Sequence, residues 1–386
     1  MATLVKSTEE QIKAYCARVG ADPLLVQGAG GNVSWKDGDT LWVKASGTWL
    51  ADAAKKDIFV PVDLPHLRGA LGAGDFAVVP RVRGASTLRP SIETLLHALM
   101  PQRVVVHLHA IEALTYLVRE NFRADFESLL DASIAWAVVD YYKPGADLAA
   151  AIGGALIEKP DANVIFLKNH GVVIGGDDVA EVNHIVDALT QALKTRPADI
   201  RPVPRRISAP PAALFGRYAK VADPDVHQLA LNPNLFNRLN TDWALYPDHV
   251  VFLGPRAHTY RSWKDFRSQE TSLGDAPELV FIEGEGVYAN KAFNKAKQVQ
   301  LRCYLDVMAR QRPHSAMNVL TNAHIAELLN WDAEQYRINL AKLETQPGVL
   351  ERVARQTNSI FGLAMAEQIE LIEIFMSKIQ MLGYAL

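Results

Sequence analysis

A segment rich in proline and arginine near the middle of the chain limits how the rest can fold. Residues 194–216 read KTRPADIRPVPRRISAPPAALFG and include Pro197, Pro202, Pro204, Pro210 and Pro211. Proline removes a backbone donor and cannot continue a helix or a central strand. We therefore expect residues 196–216 to be a linker, whose arginines are more simply solvated than bound to an anion.

On each side of this linker, helical and strand-like patterns alternate, which predicts an α/β fold. The expected regions are a domain over 1–195, a smaller α/β domain over 217–312 and a helical segment over 313–386. The chain has 386 residues, 49% of them hydrophobic, and this is typical of a soluble globular protein.

Charge and cysteine content exclude several classes of partner. The formal net charge is −3 and no basic run stands out, so a nucleic-acid partner is not expected. No window holds the roughly 18 consecutive apolar residues of a membrane helix, so we expect no membrane partner either. Cys16 and Cys303 are too few for a disulfide framework, which favours the cytoplasm.

The apolar stretch VVVHLHA, residues 104–110, places two histidines one residue apart on a predicted strand. His107 and His109 therefore share one face, while Val106 and Leu108 point to the other. Convergent imidazoles suggest a metal or acid/base site, although two satisfied core histidines are an equally good interpretation of so short a pattern.

Two flanking motifs supply the further ligands that a metal site needs. RPSIETLLHALMP predicts a helix with Glu93 in its first turn, where the helix dipole favours a carboxylate. NVIFLKNHGVVIGG predicts a strand, a turn with His170, and a second strand. Three histidines beside a carboxylate match a catalytic zinc site that leaves positions open for substrate oxygens.

The glycine-rich stretch QGAGGNVSWKDGDTLWVKASG does not fit a dinucleotide-binding motif, because strand-like residues follow the glycines where that motif requires a helix. It predicts a glycine loop and a hairpin. Asn32 and the pair Ser46 and Gly47 suit an anion-binding nest, but a tight turn without a ligand is as good an interpretation.

The ordered set of Gly-Asn loop, Ser-Gly, Pro-Ser-x-Glu, His-x-His and Asn-His-Gly resembles the class II aldolase/adducin family over roughly residues 8–195. The resemblance implies a three-layer αβα fold with a central, mainly antiparallel sheet. It also implies roles for nine residues: His107, His109 and His170 as metal ligands, Glu93 as the base beside the metal, Asn32, Ser46, Gly47 and Ser91 as the phosphate pocket, and Tyr141 as a proton donor reaching in from a neighbouring subunit. Tyr142 is a close alternative to Tyr141.

The same resemblance implies a metal-dependent lyase that cleaves or forms a carbon–carbon bond in a sugar or sugar phosphate through a zinc-stabilised enediolate. Manganese, cobalt, nickel or iron would also suit three imidazoles. An epimerase or dehydratase with the same metal site, or a non-catalytic adducin-like binding protein, is the alternative. Ile92 stands where the related aldolases carry a second serine, so the substrate need not be phosphorylated. A homo-oligomer, often a tetramer, is expected from the resemblance.

The second half contains a weak internal repeat of the first. ELVFIEGEGVYANKAFNKAKQV aligns without gaps to NVIFLKNHGVVIGGDDVAEVNH, and PDHVVFLGPRA aligns to PQRVVVHLHAI. Glu285, Leu253 and Pro255 then stand where the three histidines stand. We therefore predict that 217–312 is a shortened, metal-free copy of the aldolase fold with a strand near 247–257.

The second half also resembles the region after the aldolase unit in bifunctional rhamnulose-phosphate aldolase/alcohol dehydrogenase proteins. We find no Gly-x-Gly-x-x-Gly following a predicted strand in this chain. The sequence therefore predicts chemistry that does not use NAD.

Overall fold

The computed structural model describes residues 7–197, 207–270, 276–312 and 314–344. Part of the expected linker, 198–206, and the predicted helices beyond 344 lie outside these ranges. Residues up to Arg337 form one compact unit, so both sheets below belong to the same body.

The first sheet has seven strands among the described residues. They are β1 Asn32–Asp37, β2 Thr40–Lys44, β3 Phe59–Asp63, β4 Val104–Leu108, β5 Trp136–Val139, β6 Val164–Leu167 and β7 Gly171–Gly176. Their order across the sheet is β3-β2-β1-β4-β7-β6-β5. The β5–β6 pair is parallel and the other pairs are antiparallel, which confirms the expected mainly antiparallel sheet.

Helices cover both faces of this sheet. One face packs on α1 Thr8–Gly20, α4 Ile111–Leu117, α5 Phe122–Leu129 and α7 Val179–Ala192. The other packs on α2 Leu64–Gly72, α3 Thr94–Leu99 and α6 Ala146–Glu158. The predicted three-layer αβα architecture is therefore confirmed.

The central strand β4 shows why its sequence is almost wholly apolar. Val104, Val106 and Leu108 enter the core beneath α1 and α7, whereas Val105 enters the core beneath α3 and α6. A strand covered on both faces loses the alternation of polar and apolar residues. His107 lies on the same face as Val105, because side chains alternate along a strand.

A smaller sheet follows in the second half, built from β8 Ala219–Lys220, β9 Thr259–Tyr260, β10 Leu279–Ile282 and β11 Gly286–Ala289. Its order is β8-β11-β10-β9, with β9–β10 parallel and the other pairs antiparallel. Four adjacent strands of the first sheet, β4-β7-β6-β5, match these four strands both in their order along the chain and in which neighbours pair parallel or antiparallel. The hairpin β10–β11 followed by a helix occupies the position that the sequence alignment gave it.

The predicted strand near 247–257 is wrong. Residues Pro247–Leu253 form helix α10, and β8 instead occupies the position in the second sheet that corresponds to β4. Tyr246 is extended at the N-cap and Pro247 takes the first helical position, where its missing N–H costs nothing. The apolar run VVF is buried in either conformation, and hydrophobicity alone cannot separate a short buried strand from a buried helix.

The remaining helices of the second half are α8 Gln228–Leu231, α9 Pro233–Arg238, α11 Trp263–Glu270, α12 Lys295–Met308, α13 Asn322–Leu329 and α14 Asp332–Glu344. The last two lie in the segment expected to be helical. No helix within the described ranges has the length and apolar character needed to cross a bilayer.

Helix α4 connects the two halves through their cores. Ala113 and Leu117 pack in the core of the first sheet, whereas Ile111, Leu114 and Val118 pack with residues of the second half. The helix begins two residues after His109, so the position of the histidine strand depends on both cores.

Gly171, the first residue of β7, has no room for a side chain. A Cβ atom there would lie 2.4 Å from the Leu108 carbonyl oxygen and 3.2 Å from the rings of His107 and His109. We predict that Gly171→Ala lowers the free energy of unfolding by about 1–3 kcal/mol, because the strand backbone cannot yield. Chemical denaturation of the purified protein measures this change.

Gly154 provides the matched control for that substitution. It lies on the exposed side of α6, and a Cβ atom there meets nothing within 4 Å. Gly154→Ala should raise stability by up to about 1 kcal/mol, since alanine favours the helix. Equal effects of the two substitutions would contradict the packing argument.

Candidate metal centre

Strand β4 and the turn between β6 and β7 bring three histidines together. His107 and His109 extend from the end of β4, and their Nε2 atoms lie 3.1 Å apart. The His170 ring centroid is 4.9 Å from that of His107 and 5.3 Å from that of His109. All three are buried, and one ring nitrogen from each lies within 4.8 Å of the others.

The second ring nitrogen of each histidine has a different environment. His107 Nδ1 lies 3.2 Å from the carbonyl oxygen of Val172, to which it donates. His109 Nδ1 lies 3.4 Å from Asp248 Oδ2. His170 Nδ1 is buried and has no hydrogen-bond partner among the described residues.

These histidines have the chemistry of metal ligands. Burial lowers the pKa of His107 to about 4 and that of His170 to about 3, so both are neutral at pH 7. A neutral imidazole that donates from Nδ1 keeps the Nε2 lone pair for a metal. Three imidazoles with ring nitrogens this close together fit a divalent transition metal with positions left open.

Glu93 stands directly beside the three rings. Its Oε2 lies 3.6 Å from His107 Nε2, and its Oε1 lies 3.5 Å from His170 Nε2. Asn32 Nδ2 donates to Oε2 at 2.7 Å, while Oε1 is buried without a hydrogen-bond partner among the described residues. Although burial favours the neutral acid, the neighbouring imidazoles and the Asn32 amide hold the pKa of Glu93 below its usual range.

The helix that carries Glu93 begins later than the sequence predicted. The predicted first turn is not helical, and Glu93 is the N-cap residue of α3, where its side chain makes no capping bond. Its carboxylate is instead free to face the histidines. His97, on the same helix, contacts the Asn32 side-chain oxygen through Nε2 and Ser34 through Nδ1, and so fixes the amide that binds Glu93.

The residues expected to form an anion pocket line one cavity with this cluster. Asn32, Ser46, Gly47 and Ser91 share an open cavity with Glu93, His109 and His170. Ser91 Oγ accepts from Asn32 Nδ2 at 3.2 Å, which ties the two sides of the pocket together.

Sequence reasoning missed Lys44 as a pocket residue. Its side chain is buried, and its ammonium group donates to the Ala29 carbonyl oxygen at 3.1 Å. Burial lowers the pKa of Lys44 to about 7, with a further contribution from Arg337. Its place two residues before the Ser46-Gly47 pair, in a strand whose other buried residues, Leu41 and Val43, are apolar, was the signal available.

Sequence reasoning also missed the part of the pocket wall that comes from the second half. Asp248 on α10 and Arg337 on α14 line the cavity, and Arg337 Nη2 lies 2.7 Å from Asp248 Oδ1. Arg337 Nη1 donates at 3.0 Å to both carboxylate oxygens of Glu334. Burial opposes ionisation of Asp248, but Arg337 and His109 hold its pKa well below the usual range. No motif marked these residues in the sequence.

Tyr141 is not among the residues that line the pocket. Its ring packs at a tilt against that of His324 of α13, with the ring centroids 4.6 Å apart, and its hydroxyl is buried without a hydrogen-bond partner in the described part of the chain. Burial, with Glu327 and Glu334 nearby, raises the pKa of Tyr141. Tyr142, the alternative named from the sequence, is 44% exposed.

Comparisons with known proteins identify relatives of the first half of the chain. Residues 10–196 match the family model described as the class II aldolase and adducin N-terminal domain. An L-fuculose phosphate aldolase of Methanocaldococcus jannaschii is 30% identical over 182 residues, which are 45% of this chain and 87% of that protein.

Two further relatives match the same half. A Bacillus subtilis protein named Uncharacterized oxidoreductase YuxG is 28% identical over 193 residues, 46% of this chain, and the match spans only 27% of that protein. The solved N-terminal class II aldolase domain of a conserved Thermoplasma acidophilum protein has 25% identity and a TM-score of 0.41. That match covers 50% of this chain and 95% of the solved chain. On the family model and the match across most of the Methanocaldococcus enzyme, the chain belongs to the class II aldolase and adducin family.

Proposed function

We propose that the protein is a metal-dependent lyase of the class II aldolase type, which cleaves or forms a carbon–carbon bond in a sugar or sugar phosphate. The observation that carries this proposal is the convergence of three buried imidazoles beside Glu93, with His109, His170 and Glu93 lining an open cavity. An ordinary core histidine would be enclosed by packing and would not face a pocket.

His107, His109 and His170 are the proposed ligands, and zinc is the proposed metal. A bound divalent metal would polarise a substrate carbonyl and stabilise the negative charge that develops when the adjacent carbon–carbon bond breaks. The imidazole set would also accept manganese, cobalt, nickel or iron.

Glu93 is the proposed proton carrier. It is ionised, and Asn32 occupies only one of its two carboxylate oxygens. The unpartnered Oε1 can accept a proton from a substrate carbon, or return one to it, without losing the bond that orients the group.

The pocket favours a substrate with an anionic end. Asn32, Ser46, Gly47 and Ser91 supply uncharged polar groups, and Lys44 supplies a buried ammonium that donates to one backbone carbonyl oxygen, that of Ala29. This cation compensates for Ile92, which replaces a hydroxyl expected from the family. A phosphate or a sugar-acid carboxylate satisfies the same chemistry.

We also propose that the protein acts in the cytoplasm as a homo-oligomer. Both cysteines are free and buried, as suits a reducing compartment. For a proton donor reaching a neighbouring subunit, the exposed Tyr142 is better placed than Tyr141, because His324 of the same chain covers the Tyr141 ring.

A direct assay tests the reaction class. The zinc-loaded protein is incubated with a panel of ketose phosphates, unphosphorylated ketoses and sugar acids, and the release of an aldehyde is measured. We expect cleavage of at least one compound, its loss after chelation and its return with added zinc. An epimerised or dehydrated product, or no turnover of any compound by metal-loaded protein, would overturn the lyase assignment.

Glu93→Gln separates proton transfer from metal binding. We predict that this variant retains its metal while kcat falls by about 10²-fold or more, because glutamine cannot accept the proton. His109→Ala is the contrasting variant and should lose metal and activity together. Metal content by mass spectrometry and turnover are measured on the same samples, and near-normal kcat in Glu93→Gln removes Glu93 from this role.

Lys44→Met tests the anionic pocket. We predict that KM for a phosphorylated substrate rises about tenfold or more, because a charged hydrogen bond to the anion is lost. Lys36→Met is the matched control: Lys36 is also buried with its pKa lowered to about 7, but it bonds the carbonyl oxygen of Met100 at 2.8 Å outside the pocket. Equal changes in KM for the two variants would show that Lys44 acts only through stability.

The pH dependence provides a second test of Lys44. Burial and Arg337 lower its pKa to about 7, whereas Asp248, Glu93 and Cys16 oppose the shift. Its positive charge is therefore present below pH 7 and is lost as pH rises through that value. We expect KM for a phosphorylated substrate to increase above about pH 7 in the native protein and this increase to be absent in Lys44→Met.

A further inference from the structure

We propose that the second half of the chain is part of the metal centre, since it orients two of the three histidines that the first half supplies. Asp248 of α10 positions His109, and Asn318, in the segment before α13, positions the turn that carries His170. This inference rests on the metal site proposed above but not on the aldol reaction.

Asp248 has the geometry of an orienting carboxylate. It is 2% exposed, and its Oδ2 lies 3.4 Å from His109 Nδ1, which is long for a hydrogen bond but on the side of the ring opposite the His107 contact. An anion at Nδ1 keeps the proton there, which leaves the Nε2 lone pair free and makes it more basic.

The structure fixes Asp248 from three directions. Arg337 Nη2 lies 2.7 Å from Oδ1, Gln300 Nε2 lies 3.3 Å from Oδ2, and α10 carries the backbone. On the first-half side, a Cβ atom at Gly30 would lie 2.8 Å from Asp248 Oδ2 and 2.9 Å from His109 Nδ1. The glycine loop thus leaves the space in which the carboxylate and the imidazole meet.

The second contact acts on His170 through its neighbour Asn169. Asn169 has φ of 54°, a left-handed conformation that is uncommon outside glycine. Its Nδ2 donates to the carbonyl oxygens of Leu245 at 2.8 Å and Asn318 at 2.6 Å, and Asn318 Nδ2 donates back to Asn169 Oδ1 at 2.9 Å. Residues of the second half therefore hold the turn that points the His170 ring into the cluster.

His107 shows the contrasting arrangement. Its Nδ1 donates to Val172 within the first sheet, and it needs no contact with the second half. The proposed dependence on contacts from the second half therefore applies to His109 and His170 and not to His107. A buried carboxylate and guanidinium pair is also a poor choice for packing alone, because hydrophobic residues of similar size usually stabilise a core at least as well.

The test measures metal binding to full-length variants. Asp248→Asn removes the charge with little change in shape, and Asp248→Ala removes the acceptor as well. Asp242→Asn is the matched control, because Asp242 forms a half-buried ion pair with Arg238 in the second half but does not contact the pocket. Zinc affinity is measured by competition with a chelating dye, and the folded fraction by circular dichroism.

We expect zinc affinity to fall about 10- to 100-fold in Asp248→Asn and further in Asp248→Ala, with Asp242→Asn within about twofold of the native protein. Asn318→Ala should lower zinc affinity as well, since Asn169 Oδ1 loses the hydrogen bond that it accepts from Asn318 Nδ2. With Co²⁺ in place of zinc, the visible spectrum of Asp248→Asn should change, which a purely structural role would not cause.

Folded Asp248→Asn with native zinc affinity and a native Co²⁺ spectrum would overturn the inference, even if Asp248→Ala does not fold. The outcome is separable from the proposed function. A native protein that binds zinc but cleaves no substrate would overturn the lyase assignment alone, whereas unchanged metal binding in the Asp248 variants would overturn this inference alone.

Discussion

The burial of three imidazoles and one carboxylate in a single small volume is the constraint on which the site depends. A buried polar atom must have a partner, and a buried charge must be compensated. The first half provides part of what is needed: Val172 for His107 and Asn32 for Glu93. The second half adds Asp248, which faces His109, Arg337, which balances the Asp248 charge, and Asn318, which bonds Asn169 beside His170. All three lie more than 130 residues along the chain from His109.

The first half of the fold was predictable from local patterns and from the family resemblance. The apolar run of β4, the Asn-His-Gly turn and the glycine loop each fix a local conformation, and the ordered motifs fix the topology. The start of α3 was not predictable, because Pro90 and Ser91 suit a turn as well as a helix. Its later start leaves Glu93 at the N-cap, facing the histidines.

The second half was less predictable, for a physical reason. In PDHVVFL every residue except the last is buried, so the alternation that distinguishes a strand from a helix is absent. The polar residues that reach the pocket carry no motif, and Asp248 lies far along the chain from Glu334 and Arg337. Their partnership exists only in the tertiary structure. The strand order β8-β11-β10-β9 matches β4-β7-β6-β5 in chain order, while the proposed shortened copy of the fold over 217–312 stays a prediction.

Helix α4 has apolar side chains directed into both cores, and the chain leaves the histidine strand directly into it. Removal of the second half by truncation at the proline-rich segment would expose Ile111, Leu114 and Val118 to water. An apolar stripe of that kind invites aggregation. The two halves are therefore poor candidates for exchange between proteins. A different domain fused to the first half would need an apolar surface that covers these α4 residues before it could contribute to a new activity.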